Sequence, residues 1–372
     1  MTGQSLVTVL TPVYNGEAFI GQCIESVLAQ TYEDWDYVLV DNASTDRTGE
    51  ILRAYAARDH RIRIYTNDRT VPIIANHNIA VRQLGPAARW CKFVSADDAL
   101  LPECLAQMVS LGDAHPSVGL ISAYQLQGAA IGLGGLPYPS RVAPGRRVGR
   151  QSLLGSLWVF GGPTAHMIRA DLIRARDPFY DESNLHADAA ACYEILRTCD
   201  LGFVHQVLTY TRTHRGSVTV TIARRLNTYL LGHLAILKTY GPVYLTRQEY
   251  DLVLKERLDT YYTFLVRAML APGGREIWRY HRDGLRCLGV PFERRRLVHA
   301  LVRQMRQVLL SPGTELPRVM ALLRARGGED TTWHHWWAPT GFEPVTSVRV
   351  SEPGDVPGLA HACVPAEAPT RN

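Results

Sequence analysis

Apolar residues in the first hundred positions follow two spacings, one typical of buried strands and one typical of amphipathic helices. Four short runs rich in β-branched residues predict strands at residues 6–10, 36–40, 61–65 and 91–95. Between them, apolar residues recur at helical spacing in residues 17–30, 44–59 and 73–84. Strands that alternate with helices predict a mostly parallel sheet covered on both faces, which is an α/β fold.

Polar and acidic residues follow each of the four predicted strands. The segments are TPVYNGE (11–17), DNASTD (41–46), TND (66–68) and SADD (95–98). In open parallel sheets, ligands bind at the carboxyl ends of the strands. The sequence therefore predicts a polar binding site at one edge of the sheet.

Asp97 and Asp98 are adjacent carboxylates directly after the fourth strand. They repel each other unless a cation balances them, and Mg²⁺ or Mn²⁺ prefers such oxygen ligands. Alternatively, Asp98 caps a helix that begins near Pro102 while Asp97 faces solvent. Asp41 favours the ligand site, because it follows a neighbouring strand and can accept hydrogen bonds from a base or ribose.

The loop after the first strand lacks the G-x-G-x-x-G pattern, so glycine amides are not expected to cradle a pyrophosphate there. An aromatic ring with polar neighbours suits stacking on a base. The alternative is a Pro/Asn/Gly turn before a helix. The residues of this loop are Thr11, Pro12, Tyr14, Asn15 and Glu17.

Beyond the fourth strand, Gly, Pro and Arg dominate residues 128–149, which predicts a flexible loop and an active-site flap. A helix is predicted near 150–158, and residues 202–219 alternate as strands do. Residues 221–326 are mostly helical in pattern. Within them, residues 293–326 form a basic amphipathic stretch, which predicts either contact with an anionic membrane or a packed helix with a solvated arginine face.

The last forty residues have no periodicity and are rich in proline. His334, His335, Trp336 and Trp337 could form a metal or sugar platform, but a disordered tail over 327–372 is the favoured interpretation. The segment GFEPVTS (341–347) resembles a translated complement of a transfer-RNA arm. We hypothesise that the reading frame continues past its natural stop.

Composition and charge narrow the class of protein. The 372 residues, 46% hydrophobic and 20% charged, are typical of a folded globular protein, and the net charge of +5 is too small to indicate nucleic-acid binding. Seven cysteines without a CxxC pair indicate a reducing compartment. With no signal-peptide pattern and no apolar run of ~18 residues, we expect a cytoplasmic protein, peripheral at the inner face of a membrane if it contacts one.

Three motifs give the chain a resemblance to the N-terminal half of family 2 glycosyltransferases, inverting enzymes with the GT-A fold. These are the P-x-Y-N-x-E loop (12–17), the D-N-x-S-x-D loop (41–46) and an acidic pair in the place of the D-x-D motif (97–98). The resemblance covers residues 5–220. It implies a GT-A domain, Rossmann-like with a mostly parallel central sheet, over 1–220, followed by a helical extension over 221–326.

The resemblance also implies a nucleotide-diphosphate sugar donor. Tyr14, Glu17 and Asp41 would surround the nucleoside, and Asp97 would hold the ribose or sugar side. The residues expected to bind the donor are Thr11, Pro12, Tyr14, Glu17, Asp41, Asp97 and Arg212.

For the metal, the resemblance implies Asp98, with His214 of an R-x-H element as a second ligand and Arg212 adding charge near the diphosphate. Ser95 stands where the family motif has its first acid. The ion then has fewer protein ligands, so a loosely held Mn²⁺ or Mg²⁺ that bridges the diphosphate is expected.

The catalytic base implied by the resemblance is Asp188, although Ala187 stands where the family often has glutamate. The competing carboxylates are Asp181, Glu182 and Glu194. The predicted activity is transfer of a sugar to a hydroxyl of a surface polysaccharide, lipid-linked or other glycan acceptor. The alternatives are a nucleotide-sugar binding protein without catalysis and an Mg²⁺-binding receiver domain.

Overall fold

The computed structural model describes residues 5–128, 130–214, 216–217, 219–269 and 273–313. The described chain forms two compact units, one made of residues up to Ser152 and Leu157–Thr213, and the other of Leu153–Ser156 and the residues from His214 onward. The predicted domain limits at 220 and 326 stay predictions. The predicted tail, 327–372, lies outside the described residues.

A mixed, mostly parallel sheet forms the centre of the first unit. Its order is β3-β2-β1-β4-β9-β6-β10-β5, with β7 paired to β6 and β8 paired to β10. The strands are β1 (Val7–Val13), β2 (Trp35–Asp41), β3 (Ile62–Thr66), β4 (Trp90–Phe93), β5 (Ala99–Leu100), β6 (Val118–Gln127), β7 (Ala130–Gly132), β8 (Val142–Ala143), β9 (His166–Arg169) and β10 (Asp200–Thr211).

Seven helices accompany this sheet. They are α1 (Ile20–Leu28), α2 (Thr48–Ala56), α3 (Ile73–Arg82), α4 (Cys104–Ala114), α5 (Gly145–Leu153), α6 (Ala170–Arg174) and α7 (Ala187–Ile195). The strands β1, β2, β3 and β4 lie side by side in parallel. Parallel strands covered by helices on both faces need apolar residues throughout, and β1 and β4 are buried along nearly their whole length. The predicted α/β class is confirmed.

The sequence did not predict β9, which lies antiparallel between β4 and β6. Its four residues, HMIR, are too short to give a periodic signal. A 3₁₀ turn, Pro163–Ala165, leads directly into this strand. The insertion brings that turn next to the end of β4, where Asp97 and Asp98 lie.

The prediction of a flexible loop over 128–149 was wrong in part. Two short strands, β7 and β8, and the start of α5 lie in this segment. At Gly145, a Cβ atom would lie 2.0 Å from the carbonyl oxygen of Cys199. This glycine therefore permits a close approach of two backbones rather than providing flexibility. The helix begins at Gly145, earlier than the predicted start near residue 150.

Helices make up the second unit as far as the structure describes it, in agreement with the helical pattern predicted for residues 221–326. A short π-helix, Thr219–Arg224, precedes α8 (Thr228–Tyr244), α9 (Arg247–Ala268), α10 (Gly274–Cys287) and α11 (Arg294–Leu310). Their apolar faces share a core around Tyr261, Leu265 and Ile277. None of the helices in the described ranges has the length and apolar character needed to cross a bilayer.

The packing of α4 on the sheet depends on the absence of a side chain at Gly112. A Cβ there would lie 2.2 Å from Trp90 Cζ2 and 2.8 Å from Ile121 Cδ1. We expect Gly112→Ala to lower the free energy of unfolding by about 1–3 kcal/mol through overpacking. Urea denaturation measures the change. Gly21→Ala in α1 is the matched control, because its Cβ would meet no atom closer than 3.7 Å; equal losses in both variants would contradict the packing described.

Candidate active site

The loop after β1 is fastened to the loop after β2 by hydrogen bonds between backbone and side chains. The amide of Asn15 donates to Ser44 Oγ (2.9 Å), and the amide of Gly16 donates to Thr48 Oγ1 (2.8 Å). In return, the amide of Thr45 donates to Asn15 Oδ1 (2.8 Å). Asn15 has a left-handed backbone with φ of 49°, which asparagine tolerates better than most residues. The two loops therefore form one surface.

The carboxylate of Glu17 also contributes a hydrogen bond between these two loops. Glu17 Oε2 accepts a hydrogen bond from the amide of Arg47 (3.0 Å), just before α2. The amide of Glu17 donates to Asp46 Oδ2 (3.1 Å), while Asp46 Oδ1 accepts from the amide of Thr48 (3.0 Å). Both carboxylates thus bind amides at the N-terminus of α2, where negative charge is favourable. The predicted donor-binding residue Glu17 remains exposed on its other side.

Asp41 and Tyr14 lie at neighbouring strand ends, since Val13 of β1 is opposite Asp41 of β2. Asp41 is buried, and its Oδ1 accepts from the amide of Ser44 (3.0 Å). The ring of Tyr14 is 51% exposed, which leaves it available for stacking. Pro12 is partly buried within β1.

Thr11 is fully buried beneath this surface. Its hydroxyl donates to the carbonyl oxygen of Val94 (2.8 Å) and lies 2.8 Å from the hydroxyl of Tyr37. The side chain of this predicted donor-binding residue is thus engaged within the fold. It links the end of β1 to the residue that follows β4.

Asparagine side chains occupy the end of β3. Asn67 Nδ2 donates to Asn42 Oδ1 and to Asn76 Oδ1, both at 2.8 Å. Asn42 Oδ1 also accepts from the amide of Val71 (2.9 Å). The polar residues predicted at this strand end therefore hold loops together.

Asp98 is only 6% exposed, and both of its carboxylate oxygens accept hydrogen bonds. Thr164 Oγ1 donates to Oδ2 at 2.6 Å, and the amide of Arg212 donates to Oδ1 at 3.0 Å. The helix after it, α4, begins only at Cys104 and has no side-chain cap. The interpretation of Asp98 as a helix cap was wrong, because its carboxylate is held by β10 and by the turn before β9.

Burial, followed by the charge of Asp97, raises the pKa of Asp98 to about 7. The hydrogen bonds from Thr164 and Arg212 act in the opposite direction, since they favour the ionised form. The carboxylate is therefore destabilised as an anion until a positive charge arrives. The two adjacent aspartates are not equivalent, because Asp98 is buried while Asp97 is partly exposed.

Lys92 lies fully buried in β4, behind Thr164. Its ammonium group donates to the carbonyl oxygens of Thr164 (2.5 Å) and His166 (3.1 Å). The amide of Ser95 donates to Thr164 Oγ1 (3.0 Å), which fixes the hydroxyl that serves Asp98. Burial lowers the pKa of Lys92. Sequence reasoning missed both Lys92 and Thr164; the only available signal was a lysine inside an otherwise apolar strand.

Arg212 directly follows β10, and its side chain contacts the residues around Asp97. Its Nε donates to the carbonyl oxygen of Asp97 (3.0 Å), and Nη2 donates to Gln22 Oε1 (2.7 Å). The guanidinium carbon lies 4.7 Å from the centroid of the Phe19 ring, a cation–π distance. The structure thus brings Asp97, Asp98 and Arg212 together, as the sequence predicted.

His214, the predicted second metal ligand, belongs to the other compact unit. Among the described residues, no group of three or more His, Cys, Asp or Glu side chains is arranged to hold a metal ion. The metal-binding role of His214 stays a prediction.

Asp188 lies in the first turn of α7 and is partly buried. Burial raises its pKa to about 6, against hydrogen bonds from backbone amides at the start of the helix. The competing carboxylates have other partners. Asp181 accepts from Ser183 (2.7 Å), Glu182 accepts from Asn78 (3.0 Å), and Glu194 pairs with Arg197 (2.9 Å).

Comparison with known proteins indicates the type of domain. Residues 8–176 match the family model described as "Glycosyl transferase family 2". Over this stretch, which is less than half of the chain, the sequence is similar to glycosyl transferase family 2. The resemblance seen in the three motifs is therefore confirmed, and the chain contains a glycosyltransferase domain.

Curated relatives match the domain over limited stretches. The glycosyltransferase GlyA of Streptococcus pneumoniae is 34% identical over 92 residues, which are 25% of this chain and 13% of that protein. The putative teichuronic acid biosynthesis glycosyltransferase TuaG of Bacillus subtilis is 35% identical over 94 residues, 25% of this chain and 36% of that protein. The matched stretches thus span well under half the length of these relatives.

Solved structures share the fold of the glycosyltransferase domain. TarS of S. aureus in complex with UDP-GlcNAc superposes with a TM-score of 0.54 and 16% identity, covering 68% of this chain and 72% of that one. The mannosyltransferase PcManGT of Pyrobaculum calidifontis, in complex with GDP-Man and Mn²⁺, gives 0.52 and 16% over 88% and 87% of the two chains. The predicted GT-A fold is confirmed.

Asp98 should make the metal-free protein less stable as the pH rises. Its pKa is about 7 when folded and about 4 when unfolded, so the folded state holds the proton more tightly. This stabilisation is complete below about pH 4 and is lost as the pH rises through 7. The free energy of unfolding of wild type should therefore fall by about 2 kcal/mol between about pH 5 and pH 8, whereas Asp98→Asn lacks this titrating group. The variant's free energy of unfolding minus that of wild type should accordingly rise by about 2 kcal/mol over this range.

Urea denaturation in the presence of a chelator at the two pH values measures this gain. Glu103→Gln, at an exposed carboxylate just before α4, is the control and should show no comparable change. An Asp98→Asn variant whose difference from wild type is the same at both pH values would show that Asp98 is not a buried, protonated group.

Proposed function

We propose that the protein transfers a sugar from a nucleotide-diphosphate sugar to a hydroxyl acceptor, in one displacement that inverts the anomeric centre. The observation that carries the proposal is the buried Asp98 carboxylate, held by Thr164 and Arg212 at the edge of the sheet where β4 ends. The loop of Asp41 ends at the same edge, since β1 joins β2 and β4 in parallel register. The Asp98 carboxylate and the loop proposed to recognise the nucleobase are therefore at neighbouring strand ends.

The donor in this proposal binds along the ends of β1, β2 and β4. The exposed ring of Tyr14 stacks on the base, and Asp41 and Glu17 accept hydrogen bonds from the nucleoside. Asp97 binds the ribose or sugar side. Thr11 and Pro12 support the floor of the loop, and Arg212 lies near the diphosphate. The nucleotide sugars in the TarS and PcManGT complexes support a donor of this class.

A divalent ion, Mn²⁺ or Mg²⁺, fits the carboxylate pair. Asp98 is a buried acid with a raised pKa next to a second carboxylate, and a cation relieves both the burial penalty and the repulsion. Magnesium commonly uses one or two carboxylates together with substrate phosphates. Asp98 would hold the ion. When bound, the ion would neutralise charge that develops on the departing diphosphate.

Asp188 is the proposed general base. A carboxylate with a pKa of about 6 is ionised near neutral pH and still binds a proton with useful strength. In the proposed step, the acceptor oxygen forms its bond to the anomeric carbon while the bond to the diphosphate breaks. The acceptor proton moves to the Asp188 carboxylate. The nucleoside diphosphate leaves from the opposite face.

For the acceptor, we propose a surface polysaccharide, a lipid-linked glycan or another glycan, used on the cytoplasmic side of a membrane. The names of two relatives support this class. One is the teichuronic acid biosynthesis enzyme TuaG, and the other is the O-antigen biosynthesis protein RfbC of Myxococcus xanthus. The latter is 32% identical over 128 residues, which are 10% of that protein.

Donor binding should depend on Asp98 and on a divalent ion. We expect wild type to bind UDP or GDP more tightly with Mn²⁺ than with chelator, and Asp98→Ala to lose at least about tenfold in the Mn²⁺-dependent affinity. Isothermal titration calorimetry measures both. Glu103→Ala should bind as wild type does. Failure of every nucleoside diphosphate to bind wild type would remove the basis of the proposal.

Loss of the proposed base should abolish transfer and spare binding. We expect Asp188→Asn to lower kcat by about 10²–10⁴-fold while the affinity for the nucleoside diphosphate is kept, because only proton transfer is removed. In wild type, kcat/KM should fall as the pH drops below about 6, where Asp188 takes up its proton. Initial rates of nucleoside diphosphate release in the presence of acceptor measure both effects.

The matched controls are Asp181→Asn, Glu182→Gln and Glu194→Gln, at the three competing carboxylates. Each should retain most of the transfer activity, because each carboxylate is engaged with another side chain. Full activity in Asp188→Asn, or a comparable loss in one of the controls, would move the base to another residue. Donor binding without transfer to any glycan would instead favour a binding protein.

A further inference from the structure

Helix α11 packs on α9 through one face. Ala300 is 2% exposed, and Leu297 packs against the core of the helical unit. Arg296 Nη1 pairs with Asp259 Oδ1 at 3.1 Å. Arg303 Nη2 donates to the backbone oxygen of Asp259 (3.1 Å) and to Thr263 Oγ1 (2.6 Å). Two of the arginines are thus used in helix packing.

The opposite face of α11 is apolar and exposed to solvent. Five side chains, each between 43% and 78% exposed, repeat at intervals of three to four residues. At about 100° per residue they form one stripe along the helix. The stripe consists of Val298, Leu301, Val302, Met305 and Leu309. A packed helix normally has its polar residues on this outward side, so the stripe calls for a partner.

Arginines border the stripe. By helical geometry, Arg294 lies along it, and Arg295 and Arg306 lie at its edge beside Val302. Arg294–Leu310 contains no acidic residue, and no ion pair within the described part of the chain involves these three arginines. The outward surface is therefore apolar along its centre and cationic at its margin.

We propose that this outward face of α11 docks on the surface of an anionic lipid bilayer. The helix would lie in the plane of the interface, with the apolar stripe at the headgroup boundary and the arginines against lipid phosphates. Its 17 residues give a contact about 25 Å long. The sequence predicted either membrane contact or a packed helix. In the structure, one face of α11 packs on α9 and the opposite face is free for the proposed membrane contact. The predicted solvated arginines are present as well, because Arg294, Arg295 and Arg306 are exposed.

A bilayer suits this face better than a second copy of the chain. A two-fold contact would place the same surface against itself. The contact would then gather Arg294, Arg295 and Arg306 from both helices, without an acidic residue from either helix to balance them. Anionic lipid supplies the missing negative charge and an apolar phase together.

Vesicle co-sedimentation of the full chain tests the proposal. We expect wild type to partition at least about tenfold better onto phosphatidylcholine vesicles with about 30% phosphatidylglycerol than onto phosphatidylcholine alone, and the difference to shrink with salt. Arg295→Glu/Arg306→Glu should remove the preference for anionic vesicles. Val302→Ser/Met305→Ser/Leu309→Ser should weaken binding to the anionic vesicles by about tenfold or more. Since all five positions are exposed, both variants should keep the wild-type thermal unfolding midpoint.

Two controls match these variants. Leu252→Ser changes an exposed leucine of α9, and Arg58→Glu/Arg247→Glu changes two exposed arginines outside α11. Both should bind vesicles as wild type does. Absence of wild-type binding, or an equal loss in the controls, would overturn the proposal. So would light scattering that shows a wild-type dimer dissociated by the α11 variants while vesicle binding is unchanged. Vesicle binding needs neither donor nor acceptor, so this result and that of the transfer assays are independent.

Discussion

The arrangement of the site depends on one buried interaction, the hydrogen bond from the Thr164 hydroxyl to the Asp98 carboxylate (2.6 Å). A carboxylate this deeply buried would be costly without partners. Thr164 supplies one partner, and the amide of Arg212 supplies the second. The hydroxyl is itself fixed by the amide of Ser95, while Lys92 holds the backbone of Thr164 from behind. The carboxylate of Asp98 is thus positioned by the turn before β9 and by the residue after β10, while its amide donates to the carbonyl oxygen of Ser95 within its own loop.

The same contacts account for the serine at position 95, where the family motif has an acid. Ser95 provides the amide that binds Thr164 Oγ1, and its side-chain oxygen lies 3.2 Å from that atom. A third carboxylate at this place would lie beside Asp97 and Asp98, and it would add repulsion to a group whose pKa is already raised. The Thr164 hydroxyl, which the amide of Ser95 holds in place, instead stabilises the ionised form of Asp98 by hydrogen bonding. Compared with the family motif, the site therefore has one acid fewer, and the hydrogen bonds of Asp98 fix the position of its carboxylate.

The sequence could predict the parts of this site that follow from strand periodicity. Asp41 and Asp98 end predicted strands, and parallel packing of β1, β2 and β4 brings those ends to one edge. It could not predict Thr164, because the four-residue strand β9 has no periodic signal and its position between β4 and β6 is decided by long-range pairing. The charge on Lys92 gave a hint, but its acceptors are backbone carbonyls, which any residue provides. Likewise, the pattern of α11 was visible, whereas the choice of which apolar residues pack inward depended on α9.

Burial acts in the same direction on Asp98, the proposed metal ligand, and on Asp188, the proposed general base. It raises the pKa of Asp98 to about 7 and that of Asp188 to about 6. Asp98 has a second carboxylate beside it and two hydrogen-bond donors directed at its oxygens. These surroundings suit it to binding a cation rather than to exchanging a proton. Within the described part of the chain, the Asp188 carboxylate accepts hydrogen bonds from backbone amides of its own helix turn, so it is less committed than Asp98 and can exchange a proton. The two proposed roles, charge neutralisation by Asp98 and general-base catalysis by Asp188, thus depend on different surroundings of two acids whose pKa values are both raised by burial.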